Sequence, residues 1–256
     1  MIHFMGDIHG KFEIVNEYIT DYTNKGDTVI IAGDFGYWNS SYLLNWMEKQ
    51  LKICQEKNVI VRFIDGNHED FPALLEISKG NRHSAIEVMP NVFYQQRGSL
   101  EIIEGKRVFF VGGAKSVDWR NRVEGKSVFK KLEVLKKSDL PAEIPKCDIV
   151  VSHTIPNSIK KIVHDACLGI FGIVPGWDYS EDISCETLQY IRNHCIENGL
   201  PLLIWVSGHF HLSKSILDYN AKTTTEIYHI VLNQHQGIML QQIVENLNYR
   251  KRMYSF

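Results

Sequence analysis

Three short apolar runs open the chain, at residues 2–5, 28–32 and 59–64, and two segments of a different rhythm separate them. In the first, Phe12, Val15, Tyr18, Ile19 and Tyr22 recur at three- and four-residue intervals; in the second, Leu43, Leu44, Met47, Leu51 and Cys54 do the same across 42–54. Such intervals trace one face of a helix, while a short unbroken apolar run reads as a strand buried on both faces. Strand, helix, strand, helix, strand predicts a parallel sheet covered by helices. Lys25-Gly26-Asp27 supplies the stop after the first helix.

The texture then changes. Residues 100–103 and 107–111, joined by Glu104-Gly105-Lys106, read as a β-hairpin. An apolar strand at 148–152, a helix near 185–198 and a strong strand at 202–206 follow, then three β-leaning segments around 213–217, 226–232 and 237–240. The stretch 157–184, containing Leu168-Gly169-Ile170-Phe171-Gly172-Ile173-Val174-Pro175-Gly176-Trp177, shows no clean period and reads as an irregular insertion or lid. With no internal repeat or low-complexity tract, the expectation is a single domain spanning 1–256.

Composition narrows the class. A content of 44% apolar and 23% charged residues is that of a globular protein, not a disordered one. No apolar run approaches the ~20 residues that cross a bilayer. The opening Met1-Ile2-His3-Phe4-Met5-Gly6-Asp7 has neither the basic start nor the apolar stretch of a secretory signal. The expectation is a cytoplasmic protein with no membrane contact. Cys54, Cys147, Cys167, Cys185 and Cys195 are odd in number, scattered and without a CxxC pair, which argues for reduced thiols and against a zinc–thiolate site. The net charge is −2, but residues 106–137 hold ten Lys or Arg against three acidic residues, a local 10 − 3 = +7. That stretch is either a solvated surface or one that meets phosphate-rich substrate.

The chemistry sits just past the strand ends. Asp7 and His9 follow the first strand in Gly6-Asp7-Ile8-His9-Gly10, Asp34 the second in Gly33-Asp34-Phe35-Gly36, and Asn67 and His68 the third in Gly66-Asn67-His68-Glu69. His153 closes the strand at 148–152, and His209 and His211 close 202–206 in Gly208-His209-Phe210-His211. Beyond the carboxyl ends of the strands is where α/β sheets place their sites. Oxygen and imidazole donors without thiolate suit Mn, Fe, Zn or Ni. Seven donors (Asp7, His9, Asp34, Asn67, His153, His209 and His211) exceed what one tetrahedral ion uses, and suit two neighbouring ions bridged by a carboxylate. Asp34, alone on its loop between the two sets, is the natural bridge.

Taken in order, Asp-x-His, Gly-Asp, Gly-Asn-His-Glu, His and Gly-His-x-His resemble the calcineurin-like metallophosphoesterase superfamily over residues 1–213. The resemblance implies an α/β fold, a four-layer α/β/β/α sandwich, carrying a dinuclear centre. Carried over position by position, Asp7, His9 and His211 would hold one metal, Asn67, His153 and His209 the other, and Asp34 would bridge. His68 would face the substrate as the catalytic side chain that binds no metal. Manganese is the leading expectation for the two ions, with Fe, Zn or Ni also suited. The reaction implied is hydrolysis of a phosphate mono- or diester by a hydroxide bridging the metals. His68 would then donate a proton to the leaving oxygen.

The departures bear on the substrate. Protein Ser/Thr phosphatases carry Gly-Asp-x-x-Asp-Arg-Gly in the second block, where this chain has Gly33-Asp34-Phe35-Gly36-Tyr37-Trp38-Asn39, so that branch is disfavoured. The run Gly112-Gly113-Ala114-Lys115-Ser116-Val117-Asp118-Trp119-Arg120 is similar to a segment of bacterial and phage-type members. Lys115, Arg120 and Arg122 are either phosphate contacts or exposed loop charges. Tyr37, Trp38, Trp119 and Trp177 are either stacking surfaces for a ring or buried packing. The substrate classes left open include nucleotides and nucleic acids, so a nuclease or cyclic-nucleotide phosphodiesterase is the main alternative. A metal-binding interaction scaffold with an impaired site is the lesser one. A metallopeptidase lacks its His-Glu-x-x-His.

Overall fold

The computed structural model describes residues 1–178, 181–198, 202–220 and 225–253. Two six-stranded mixed sheets face each other. The first is built from β1 (Ile2–Met5), β2 (Thr28–Ile31), β3 (Ile60–Phe63), β4 (Ala85–Met89), β5 (Val92–Gln95) and β12 (Gly237–Met239), in the order β12-β1-β2-β3-β5-β4. The second uses β6 (Ser99–Ile103), β7 (Lys106–Val111), β8 (Ile149–Ser152), β9 (Leu202–Ser207), β10 (Lys214–Asn220) and β11 (Thr225–Val231), in the order β10-β11-β9-β8-β7-β6. Inner strands pair in parallel, and the edge pairs β1–β12, β4–β5, β6–β7 and β10–β11 are antiparallel.

Alternation along the strands makes the layers. Ile2, Phe4 and Ile30 point to the space between the sheets, where they meet Val108, Phe110, Ile149, Val151, Ile204, Val206 and Ile230 from the other side. Their neighbours Met5, Val29, Ile31, Val61 and Phe63 point outward and are covered by α1 (Phe12–Tyr22), α2 (Ser41–Leu51), α3 (Ile53–Glu56) and α4 (Phe71–Ser78) through Val15, Ile19, Met47, Leu51, Cys54 and Leu74. On the far side Phe109, Val150, Leu203 and Trp205 pack against Leu188, Ile191 and Cys195 of α6 (Ile183–Glu197). The period of two thus feeds three apolar layers from two sheets, with each large side chain contributing roughly 1.5–3 kcal/mol on burial. This is the four-layer α/β/β/α arrangement. Trp205, fully buried, also donates its indole N–H to Ser152 Oγ at 2.7 Å, so no polar atom of its ring is left stranded.

Several elements differ from the sequence expectation. The helix predicted over 42–54 breaks at Lys52 into α2 and α3. Helix α4, the β4–β5 hairpin turning at Pro90-Asn91, and α7 (Leu240–Met253) had no predicted counterpart. The stretch 157–184 is largely regular: Asn157–Phe171 forms the fifteen-residue helix α5, whose Ile159 and Val163 pack on Leu212, Ile216 and Val231. Of that stretch, residues 179–180 lie outside the described residues. Among the described residues no helix is long and apolar enough to cross a membrane.

Candidate metal centre

Parallel pairing puts the carboxyl ends of β1, β2 and β3 on one rim of the first sheet, and β8 and β9 bring their own ends to the facing rim. The loops that leave these ends are tied together by their backbones. The N–H groups of Ile8 and His9 donate to Asp34 O at 3.2 and 2.8 Å, Gly10 donates to Phe35 O at 3.0 Å, and Gly208 donates to His153 O at 3.1 Å. His9, Asp34, His209 and His211 all sit at positive φ, between 47° and 70°. Non-glycine residues rarely adopt that conformation, and strain of this kind, of order 1–3 kcal/mol each, concentrates where function demands it. Glycine is required beside the carboxylates for want of space. A Cβ on Gly66 would overlap Asp34 Oδ1, and one on Gly208 would overlap Asp7 Oδ1.

All eight residues singled out by the sequence converge. Asp7, Asp34 and His153 are buried to 1% exposure or less, and Asn67 to 3%. His211 Nε2 lies 2.9 Å from Asp7 Oδ2, and His9 Nε2 lies 3.1 Å from His211 Nε2. His153 Nε2 is 3.3 Å from Asp34 Oδ1 and 3.1 Å from Asn67 Oδ1, while His9 and His68 approach Asp34 Oδ2 at 3.8 and 4.0 Å. The ring of His209 crosses that of His153 with centroids 4.9 Å apart. Ligand atoms of Asp7, His9 and His211 lie within 4.8 Å of one another, as do those of Asp7, Asp34 and His153, and those of His9, Asp34 and His68. The last group brings His68 closer to the donors than its expected role as a non-ligand requires.

Charge explains why such a cluster takes cations. Burial raises the Asp34 carboxyl, but His153, His68 and His9 outweigh it and hold it well below the ordinary carboxylate range. Burial lowers His153, yet Asp34 and Asp7 drive it up to about 10, so a proton stands where positive charge is demanded. The His209 ring is pushed far down by burial and by His153, which leaves it neutral and its nitrogen lone pair available. His153 places Nδ1 2.8 Å from Ala32 O, which fixes the ring and turns Nε2 toward Asp34 and Asn67, the arrangement that orients an imidazole for a metal. The residues present therefore fit metal binding through oxygen and imidazole.

Support for the centre came from side chains the sequence did not single out. Glu69, buried, accepts the N–H groups of Phe35, Gly36 and Tyr37 at 2.7, 3.0 and 2.7 Å and fixes the loop after Asp34. Asn67 Nδ2 donates to Ser116 Oγ at 3.2 Å, and Ser116 donates its hydroxyl to buried Glu133 at 3.0 Å, which orients the Asn67 oxygen toward His153. Glu69 stood inside a recognised motif, so a signal existed. Glu133 gave none, because an acid flanked by lysines reads as a surface charge.

The basic stretch divides. The Arg122 guanidinium rests on the His68 ring, 2.8 Å from Nδ1 and closer still to Nε2, and donates to Asp118 Oδ2 at 2.8 Å. Burial lowers the His68 pKa against the opposing pull of Asp34, and the charge of Arg122 lowers it further. Arg120 is 55% exposed and packs over Trp119, whose indole N–H donates to Asp178 at 2.9 Å. Lys115 Nζ lies 3.3 Å from Asp178, and Arg107 is paired with Asp148 at 2.8 Å. Tyr37 is core packing against Phe63, whereas Trp177 lines a cavity of about 380 Å³ above the cluster.

Facing mixed sheets whose parallel inner strands pool carboxylates and imidazoles at their ends define a metallohydrolase. A family model described as calcineurin-like phosphoesterase matches residues 1–213, and the chain belongs to that family. It is accordingly a metal-binding hydrolase acting on phosphoric esters. A comparison with curated proteins finds no match.

Proposed function

We propose that the chain binds two metal ions and hydrolyses a phosphate ester between them, with Asp7, His9 and His211 holding one ion, Asn67, His153 and His209 the other, and Asp34 bridging. Asp34 carries this reading, because its two oxygens face different partners: Oδ1 lies 3.3 Å from His153 Nε2, and Oδ2 lies 3.8 Å from His9 Nε2. Manganese leads among the suitable metals, since the donors are oxygen and imidazole only. When bound, the ions supply charge neutralisation at the phosphoryl oxygens and a water acidic enough to attack near neutral pH.

The remaining steps fall to the chain's own side chains. His68 stands on the cavity face and donates its ring hydrogen to the leaving oxygen. Arg122, locked to Asp118, holds the His68 ring in place from behind. The segment 157–184 serves as a lid within one domain: Leu168, Phe171 and Trp177 overhang the cavity and reduce water access. The cavity's breadth supports phosphodiesters as well as monoesters, with nucleotides and nucleic acids among the diesters to screen. Five unbridged cysteines support placing the protein in a reducing cytoplasm.

Metal analysis of purified protein loaded with Mn²⁺, beside hydrolysis of bis(p-nitrophenyl) phosphate and p-nitrophenyl phosphate, tests the reading. Two equivalents per chain and turnover are expected from the native protein. Asp34→Asn, whose amide oxygen still accepts the Asn67 and His68 N–H groups that Asp34 Oδ1 accepts at 2.8 Å, should keep the fold and lose turnover and bound metal. Full activity with full metal content in that variant would end the two-ion assignment.

A further inference from the structure

The cavity above the centre has two unlike halves. Its floor is the cluster of metal-binding side chains with His68 and Asp118, and its wall is Val117, Cys167, Leu168, Phe171, Trp177 and Phe210, with the His164 ring among them. Among the described residues no Lys or Arg lines it. Of the lysines in the basic stretch, Lys131 and Lys136 line a separate cavity of about 410 Å³ that shares no lining residue with the first, whereas Lys115 lines a small recess that shares Val117, His164, His209 and Phe210 with it. A phosphate on the floor therefore carries its ester group into a wall of three aromatic rings, three aliphatic or thiol side chains and the His164 imidazole. Burying the apolar side chains of such a wall against an apolar group is favourable.

We infer that the natural substrate is a phosphate ester whose esterified group is apolar and ring-bearing, the group lying against α5 and the Trp177 turn. The inference rests on the phosphoesterase reading for its reaction and on the cavity wall for its specificity. A volume of about 380 Å³ accommodates a phosphate with one or two rings, in the size range of small-ligand sites.

Calorimetry on the metal-loaded full chain, using phenylphosphonate and methylphosphonate as non-hydrolysable probes, reads the wall directly. The phenyl compound is expected to bind roughly tenfold or more tightly than the methyl compound, the gain typical of burying one ring. Phe171→Ala and Trp177→Ala should each bring the ratio of the two Kd values toward one. Both side chains are partly exposed, at 44% and 36%, so truncation leaves the core intact. Ile173→Ser, at a residue 86% exposed and outside the cavity, should leave the ratio as in the native protein. Equal affinities in the native protein overturn the inference, as does a ratio that survives both wall substitutions or falls with Ile173→Ser. Tighter binding of ADP than of phenylphosphonate, weakening steeply with salt, also overturns it in favour of a polyanion. Phenyl p-nitrophenyl phosphate should likewise exceed methyl p-nitrophenyl phosphate in kcat/KM. If neither ester is hydrolysed while the phosphonate preference holds, the reaction reading falls and the wall's specificity stands.

Discussion

The floor of the cavity and the wall above it come from the same chain by opposite means. The floor is assembled from five loops at the ends of parallel strands, with Asp7, Asp34, Asn67 and His153 almost without solvent contact and their backbones cross-linked by hydrogen bonds. Most of the wall is one helix and a turn, rooted by Ile159 and Val163 and leaving Leu168, Phe171 and Trp177 partly exposed, with Val117 and Phe210 added from neighbouring loops. A cluster of like-charged and strained groups persists only where surrounding structure over-determines it. A specificity wall has no such demand, and an apolar side chain there can change without disturbing the sheets. Reaction type and substrate choice are therefore carried by parts of the molecule that differ in rigidity.

The sharpest way to break this division is at its boundary, where His68 rises from the floor into the cavity. His68→Ala should retain metal and lower kcat by ~10²–10⁴, the range for a lost general acid. The loss should shrink for p-nitrophenolate, a leaving group that barely needs a proton. Loss of metal on this substitution would make His68 a floor ligand, as its position 4.0 Å from Asp34 Oδ2 permits.

A smaller effect is expected from a residue that binds nothing. Gly66→Ala would drive a Cβ into Asp34 Oδ1 and the Asp34 backbone nitrogen, an overlap with no flexible side-chain end to give way. The cost should be about 1–3 kcal/mol, as for overpacking in a filled core, with a Tm lower by several degrees and weaker metal retention. Phe171→Ala, in contrast, should move stability by no more than ~0.5 kcal/mol, as for a surface side chain. Equal thermal shifts for the two variants would erase the distinction between floor and wall.

The same distinction governs what could be read in advance. Every floor residue was legible, because each ligand stands directly after an apolar run and beside a glycine, so pattern and chemistry coincide: Asp34 in Gly33-Asp34, Asn67 in Gly66-Asn67-His68-Glu69. Helix α5 was not legible. Its face-forming Ile159 and Val163 are accompanied by Ile162, Leu168, Ile170 and Phe171 on exposed faces, which blurs the period on which recognition depends. The β4–β5 hairpin, Ala85–Met89 and Val92–Gln95, was missed for another reason: β4 is only half-buried, and a bulge between Glu87 and Met89 interrupts its register. Arg120 and Arg122, equivalent by spacing, were separated only by geometry, one stacked on Trp119 and the other on His68.

The smallest expected effect concerns the root of the wall. Asp218 on β10 accepts from Arg192 of α6 at 2.7 Å and from the Ser158 hydroxyl at the start of α5 at 3.4 Å, so one carboxylate ties the wall helix and its neighbour to the second sheet. Burial would raise this carboxyl, but His229, 3.7 Å away, and Arg192 outweigh it and hold it below its ordinary value. A carboxylate lowered in the folded state gives its full stabilisation above the unfolded-chain pKa of about 3.9 and loses it as pH falls through the lower folded value. The contribution is therefore complete at neutral pH, begins to fall near pH 4 and is gone only once the pH has dropped through the lower folded value. Because the group is partly solvated, its size should be about 1 kcal/mol, or roughly 2–4 °C in Tm. Asp218→Asn should show that deficit at pH 7 and converge with the native protein at low pH. Hydrogen exchange at pH 7 should show the loosening in α5 and α6 while the loops around Asp7 and Asp34 remain protected. A deficit that persists unchanged at low pH would mean the side chain acts by packing and not by charge. Faster exchange in the strand-end loops would mean that wall and floor open as one unit.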